Sequence, residues 1–293
     1  MRQPITIKMF DNTKVAFKDK TDKDLSRAYF LFKTISNPFI SKTLTVFVKI
    51  ALFFKLPISG LIKATVYKHF CGGTTIEDSQ KTIDKLWKAH IGTILDFSAE
   101  GKETKEDFNR AMNETIASIK KAKMESSIPF SVFKPTGLAR FSLLEKISNN
   151  SELSENEKLE QSDFENRIEN ICKTASENKV PVFIDAEESW IQNAIDEIAI
   201  RMMRKFNQKE VFIFNTLQLY RHDRVKYLED ILITAREEKF FIGLKLVRGA
   251  YHEQEIDRAK KEAYKCPVHL KKENTDLDYN QALTLCIENI DIV

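Results

Sequence analysis

The chain has few cysteines and histidines, and neither residue type occurs at the spacing that metal sites require. The four cysteines are scattered and form no CxxC pair: Cys71, Cys172, Cys266 and Cys286. The five histidines likewise lack metal-ligand spacing, and no Ser/His/Asp order stands out. This pattern argues against a disulfide framework, a zinc site and a hydrolytic triad, and it favours a reducing compartment.

A large net charge and a long uncharged hydrophobic run are also missing. The formal net charge is only +3 and is dispersed, so we expect no nucleic-acid partner. The most apolar stretch, 39–66, is interrupted by four lysines and by Pro57, which argues against a membrane-spanning helix. The lysine spacing predicts an amphipathic helix, either packed on the protein or lying on a membrane surface.

Short apolar runs alternate with amphipathic segments from residue 91 onward, whereas residues 1–90 show helical periodicity. Strands are predicted at 92–97, 129–134, 180–188, 210–215 and 240–247, with the start of a sixth at 290–293. Helices are predicted at about 104–124, across 141–178, and at 189–206, 222–238 and 277–288. The polar segment 147–170 is predicted as a solvated loop plus a surface helix. Helix caps are predicted at Asp22 and at Thr74 with Glu77. The sequence thus predicts an α/β domain over 91–293 after an N-terminal helical region over 1–90.

Glycine is scarce where a dinucleotide-binding sheet would need it. The segment after the first predicted strand reads DFSAEGKE (96–103), with one glycine and no GxGxxG. This argues against that doubly wound fold and favours a (β/α)₈ TIM-type barrel. Five β/α units and the start of a sixth are visible, so we expect the barrel to be incomplete within this chain.

Every predicted strand ends in a polar group: Asp96, Lys134, Asp185, Asn215, and Lys245 with Arg248. The C-terminal ends of parallel strands lie together, and barrels build their active sites there. Cations at this rim would bind an anionic ligand or stabilise the negative charge of a reduced flavin. A strand-end lysine could instead form a Schiff base, as in a lyase. The residues alone leave both alternatives open.

A set of ordered motifs resembles one enzyme family. GLKLVRGAY (243–251) resembles the fifth-strand motif of proline dehydrogenases, flavoenzymes built on a distorted (β/α)₈ barrel. Further similar motifs are YKHFCGG (67–73), TILDFSAEGK (93–102), FKPTGL (133–138), FIDAEES (183–189) and IFNTLQLY (213–220). The resemblance covers about 67–290 with the motifs in order, and the order of the two cations in KLVRGAY is that of the longer, mitochondrial-type members.

The resemblance implies oxidation of L-proline to Δ1-pyrroline-5-carboxylate in proline catabolism. It implies FAD as the hydride acceptor, a membrane quinone as the electron acceptor, and no metal. It also implies peripheral association with a membrane. That would be the mitochondrial inner membrane in a eukaryote, or otherwise the cytoplasmic face of the inner membrane.

The resemblance further implies roles for individual side chains. Lys134 would bind the proline carboxylate, Asp185 would order the substrate and the rim, and Tyr251 would wall the substrate pocket. Lys245 would lie near flavin N5, with Arg248 reaching the pyrophosphate or ribityl region. The other residues implied to line the cofactor are Ala186, Asn215, Leu246 and Val247.

One family motif is not found. The family carries a helix with the pattern tyrosine-x-x-arginine-arginine-x-x-glutamate-asparagine, whose arginines bind the substrate carboxylate, and no such run occurs here. We therefore expect a C-terminally truncated chain that by itself binds FAD poorly and oxidises proline barely, if at all, so the implied activity is that of the intact protein. An inactive fragment that acts only as a binding partner is a further alternative.

Overall fold

In the computed structural model, which describes residues 11–97, 101 and 103–293, five short strands form one parallel sheet. The strands are β1 (Ile94–Leu95), β2 (Phe130–Phe133), β3 (Val182–Ile184), β4 (Ile213–Gln218) and β5 (Gly243–Val247). Each strand pairs with the next one along the chain, in the order β1-β2-β3-β4-β5. A doubly wound sheet reverses its order at a switch point, whereas sequential parallel order is that of a barrel wall. The predicted barrel-type α/β fold is confirmed.

The chain divides into two units, Met1–His90 and Ile91–Val293, and the described part of the first is helical. Its helices are α1 (Thr13–Ala16), α2 (Asp22–Ile35), α3 (Pro38–Phe53), α4 (Ser59–Ile62), a π-helical turn (Lys63–Tyr67), α5 (Lys68–Phe70) and α6 (Ile76–Trp87). Both predicted caps are wrong by one residue. Thr21 caps α2 and Thr75 caps α6, because the cap residue must have extended backbone angles while its side chain accepts from the first turn.

Helices connect the strands of the second unit. They are α7 (Lys105–Met124), α8 (Phe141–Ser148), α9 (Glu155–Asn178), α10 (Ser189–Phe206), α11 (Arg224–Glu238), α12 (His252–Lys261) and α13 (Lys272–Glu288). The ends of α9 follow ordinary capping rules. Ser154 and Glu157 form a capping box at its start, and Lys179 ends it in the left-handed conformation.

The second unit differs from the prediction in several places. The segment 147–170 is more than a solvated insertion, because α9 packs on α7 and buries Phe164 and Ile168. Helix α12 was not predicted because it is highly charged and offers few apolar positions, its two buried residues being Glu255 and Ala259. The segment 290–293 forms no strand; the chain turns there, with one backbone hydrogen bond from Ile242 to Ile292 at 2.7 Å.

The two faces of the sheet carry different residues. One face carries an aromatic cluster, in which the Phe130 and Phe183 rings stack at 4.7 Å and Phe214 meets Phe183 edge-on at 5.4 Å. Gly243 lies beside this cluster, and a Cβ there would stand 2.7 Å from the Phe214 ring. The opposite face packs against helices through fully buried aliphatic side chains such as Ile184. Side chains alternate between the two faces along each strand. A strand-end residue an even number of positions from one of these phenylalanines therefore also points to the aromatic face.

Within the described ranges, no helix has the length and apolar run that crossing a bilayer requires. Part of the first-strand motif, at 98–100 and 102, lies outside the described residues.

Candidate functional site

An ion pair joins the end of β3 to the middle of β5 at the rim of the sheet. Asp185 follows β3 directly, and its carboxylate accepts a hydrogen bond from the Lys245 ammonium group. The Lys245 nitrogen also lies 5.2 Å from the centre of the Phe183 ring, on the aromatic face. The Lys245 and Asp185 side chains remain 30% and 19% exposed, so a ligand at the rim has access to both.

Lys134 and Tyr251 come from distant parts of the chain and meet at the same rim. Lys134 follows β2, Tyr251 precedes α12, and the Lys134 Nζ donates to the Tyr251 hydroxyl at 3.4 Å. Burial raises the pKa of Tyr251 to about 12, although the Lys134 charge opposes that shift. The phenol is therefore neutral at physiological pH, next to a cation that can bind a carboxylate.

A cleft of about 390 Å³ opens beside this pair, with Tyr251, Thr136, Phe141 and Glu187 among its lining residues. Its volume lies in the range of small-molecule sites, which runs from roughly 300 to 1,000 Å³. The cleft combines an aromatic wall with carboxylate groups and the nearby Lys134 ammonium. It can hold a small zwitterion with charges of both signs.

Asn215 does not lie where the sequence predicts. Its amide nitrogen donates to Asp196 on α10 at 2.9 Å, and its amide oxygen accepts from the Thr216 backbone at 2.8 Å. The side chain is buried on the helix-packed face, not on the face that carries Lys245. Because successive strand residues point to opposite faces, the Asn215 side chain faces away from Lys245, and its contact with a flavin ring stays a prediction that this placement does not favour.

The cluster at the end of β5 splits between the two faces in the same way. Val247 shares the parity of Lys245, whereas Leu246 pairs in register with the buried Leu217 on the helix-packed face. Arg248 pairs with Asp276 on α13 at 2.6 Å and stacks on Tyr279 at 4.8 Å. The Leu246 side chain therefore points away from Lys245, and its contact with a cofactor stays a prediction that this placement does not favour. The contact with Asp276 uses the Arg248 Nε donor.

Ala186 and Gly249 are constrained by their surroundings. Ala186 is 8% exposed and lies between the rim residues Asp185 and Glu187. Gly249 has a φ of +134°, and a Cβ there would stand 2.5 Å from the Tyr220 ring. The backbone conformation and the nearby Tyr220 ring both require glycine at position 249. The missing side chain lets β5 and the Tyr251 loop lie close to β4.

Sequence reasoning missed two buried residues of the site. Gln218, at the end of β4, has the parity of Lys245 and is 2% exposed. Glu187 is 3% exposed, and burial raises its pKa to about 7 against the effect of hydrogen bonds from Thr136. The polar run DAEE (185–188) hinted at Glu187, but no periodicity shows which of its three acids is buried.

A comparison with family models decides the relationship of the chain. Residues 79–293 match the model described as "Proline dehydrogenase". The chain belongs to the proline dehydrogenase family. Members of this family are flavin-dependent in general.

Individual relatives of the chain point to the same family. The chain is 32% identical over 224 residues to the carbapenem antibiotics biosynthesis protein CarD of Pectobacterium carotovorum, covering 76% of this chain and 58% of CarD. It is 29% identical to mitochondrial proline dehydrogenase 1 of Dictyostelium discoideum, covering 95% of this chain and 56% of that protein. The chain therefore spans little more than half the length of these relatives.

A solved structure shows the same fold. Proline utilization A (PutA) from Bdellovibrio bacteriovorus, inactivated by N-propargylglycine, superposes with a TM-score of 0.69 at 16% sequence identity. The match covers 96% of this chain and 30% of that one. At this identity the likeness supports the barrel-type fold.

Proposed function

We propose that the protein takes part in the flavin-dependent oxidation of L-proline to Δ1-pyrroline-5-carboxylate. The observation that carries this proposal is the meeting of Lys134 and Tyr251 at 3.4 Å, at the same rim as the Asp185–Lys245 pair. One pair offers a cation and a flat wall for a small cyclic amino acid. The other offers a cation held in place by a carboxylate. Family membership favours joining these features in a single reaction.

The proposed reaction removes a hydride from the ring carbon that adjoins the proline nitrogen and does not carry the carboxylate. The nitrogen loses a proton to solvent, which leaves a C=N bond between the two atoms. Lys134 binds the substrate carboxylate through a charge-assisted hydrogen bond. Tyr251 packs against the ring and excludes water from one side of it. Asp185 orients Lys245 and keeps its ammonium group directed at the rim.

The donors at the rim fit FAD in their chemistry. The Lys245 ammonium lies beside the aromatic face of Phe183, which suits a flat ring that becomes electron-rich on reduction. We propose that Lys245, Val247 and Ala186 hold the cofactor. Bound FAD would supply the hydride acceptor.

The ion pair also bears on the competing lyase hypothesis. A Schiff-base lysine attacks as a free amine, whereas the Lys245 ammonium donates to Asp185. Both this contact and the family favour oxidation. Borohydride reduction in the presence of a small keto acid, whose carbonyl group could form a Schiff base, should leave no adduct on Lys245.

We expect Lys134→Met to raise the KM for L-proline by about 10- to 100-fold, because a hydrogen bond to a charged group contributes roughly 1.5–3 kcal/mol. Methionine keeps most of the length of the side chain and removes its charge and its hydrogen-bond donors. The measurement is proline-dependent dye reduction by the FAD-loaded protein over a range of proline concentrations.

Lys146→Met is the matched control for Lys134→Met. Lys146 pairs with Glu157 at 2.6 Å on the surface, and its loss should leave the KM unchanged. An equal KM for the two variants would show that Lys134 does not bind the substrate. A complete lack of proline-dependent reduction in an unsubstituted, FAD-loaded protein with a complete barrel would refute the proposed function itself.

The proposed electron acceptor is a membrane quinone, and α3 is the segment proposed to meet the membrane. No aspartate or glutamate occurs between Asp24 and Glu77, although that stretch contains lysines throughout. Aromatic side chains are exposed at both ends of α3, with Phe39 at 80% and Phe53 at 81%. Cations and exposed aromatics without acids are typical of helices that lie on an anionic lipid surface.

Vesicle binding tests this membrane contact. We expect the protein to co-sediment with vesicles of phosphatidylcholine and phosphatidylserine, and less so in high salt. Changing Lys42, Lys49 and Lys55 to glutamate should weaken binding more than tenfold, since each lysine near such a surface contributes about 1 kcal/mol. The control changes three exposed lysines of the second unit to glutamate: Lys120, Lys173 and Lys260. Equal binding by the two triple variants would contradict the role of α3.

The proposed location follows from these points. The relatives from Dictyostelium discoideum, Arabidopsis thaliana and Homo sapiens carry "mitochondrial" in their names. We propose a peripheral position on the mitochondrial inner membrane for a eukaryotic source, and otherwise on the cytoplasmic face of the inner membrane.

A further inference from the structure

Glu187 connects the loop that carries Lys134 to the rest of the rim. Its carboxylate accepts a hydrogen bond from the Thr136 backbone at 2.9 Å and another from the Thr136 hydroxyl at 2.5 Å. Thr136 lies two residues after Lys134, in a short 3₁₀ turn. These two contacts tie the position of Lys134 to the end of β3.

The backbone of Glu187 makes a second connection, toward Tyr251. Its carbonyl oxygen accepts from the Gln218 amide nitrogen at 2.6 Å, and the Gln218 amide oxygen accepts from the Ala250 backbone at 3.2 Å. Ala250 immediately precedes Tyr251. The Glu187 backbone N–H is satisfied as well, by Gln192 on α10 at 2.9 Å.

A second buried carboxylate holds Tyr251 from its other side. Glu255, one turn into α12, is fully buried and accepts from the Ser189 backbone at 2.7 Å and from its hydroxyl at 2.6 Å. The Glu255 backbone N–H donates to the Tyr251 carbonyl at 2.9 Å. The start of α12 is thereby fastened to the start of α10, two residues after Glu187.

We propose that Glu187 is a positioning residue that sets the distance between Lys134 and Tyr251. This inference rests on the proposed function, in which those two side chains form the substrate site. A carboxyl group is rarely buried unless its oxygens are hydrogen-bonded, and both oxygens of Glu187 bond to the Lys134 loop. In this role Glu187 acts through the positions of Lys134 and Tyr251.

The groups around Glu187 indicate that its contacts with Thr136 do not require the charged form of the carboxyl group. Burial raises its pKa to about 7, Glu188 acts in the same direction, and Lys134 and the Thr136 hydrogen bonds oppose the shift. The carboxyl group is thus partly protonated near neutral pH. Glutamine has the same shape and can keep both contacts with Thr136, because the threonine hydroxyl is able to accept as well as donate.

Fluorine NMR tests the proposal without substrate or cofactor. The seven tyrosines are replaced by 3-fluorotyrosine, and Tyr251→Phe identifies the Tyr251 resonance by its loss. Lys134→Met then gives the resonance position without the Lys134 contact. We expect Glu187→Ala to move the Tyr251 resonance toward that position, and Glu187→Gln to leave it near its original place.

Thr115→Val is the control, since Thr115 is also buried but bonds only to Ala111 within α7. An unchanged Tyr251 resonance in folded Glu187→Ala overturns the proposal, whether or not the protein oxidises proline. If Glu187→Ala fails to fold, Thr136→Val decides, because it removes only the hydroxyl bond. It should shift the resonance in the same direction, and the absence of a shift rejects Glu187 as a positioning residue.

Discussion

Replacing Asp185 by alanine should slow proline-dependent flavin reduction by about 100- to 1,000-fold, the effect of removing one pre-organised electrostatic group from an active site. Asp185 is the carboxylate that holds Lys245 at the rim. Without it, the flexible lysine side chain turns to solvent and its charge no longer meets the electron-rich ring. The measurement is the rate of flavin reduction at saturating proline in a stopped-flow instrument.

Asp230→Ala is the matched control for this loss. Asp230 pairs with Lys226 at 2.6 Å on the exposed surface of α11. The substitution therefore removes an aspartate–lysine contact that does not belong to the strand ends. Its flavin reduction rate should equal that of the unsubstituted protein. Similar rates for the two alanine variants, with thermal unfolding unchanged, would show that the Asp185–Lys245 pair has no part in the reaction.

Replacing Arg224 by alanine should lower the free energy of unfolding by about 3–5 kcal/mol, because one partner of a buried ion pair is left without compensation. Arg224 meets Asp196 at 2.5 Å, and both side chains are at most 7% exposed. Although burial opposes its charge, the carboxylates of Asp196 and Asp223 raise the pKa of Arg224. Asp196 also accepts from Asn215 and Gln192, so the loss would spread toward the rim.

Urea unfolding of Arg224→Ala and Arg204→Ala provides the comparison. Arg204 meets Glu238 at 2.8 Å, but both side chains are more than two-fifths exposed. An exposed pair of this kind contributes at most about 1 kcal/mol, because solvent screens it. A loss below that value for Arg224→Ala would mean that the Asp196 network does not stabilise the sheet.

The site was predictable where a strand ends in a charged residue. Lys134, Asp185 and Lys245 follow or close apolar runs, and parallel strands bring such ends together. Family resemblance added Tyr251, which no periodicity marks. These four side chains lie at one rim in the structure, although their contacts with substrate and cofactor remain predictions.

Asn215 shows why the sequence assigned some strand residues to the wrong face of the sheet. The sequence places the end of the fourth strand at Asn215, but β4 continues to Gln218. Because side chains alternate between the two faces, an error of an odd number of residues selects the wrong face. Gln218 is the residue that closes β4 on the Lys245 face, and its buried hydrogen bonds depend on Glu187 and Ala250.

The sequence by itself determined the β/α order, the sheet type and the residues at most strand ends, because apolar runs and amphipathic periods are local signals. Only the tertiary structure decided which polar residues bond to each other. Asp196 with Arg224, and Glu187 with Thr136, are separated along the chain by helices and strands. Their pairing depends on packing distances that no local pattern encodes, so burial selects their partners only once the sheet and helices are assembled.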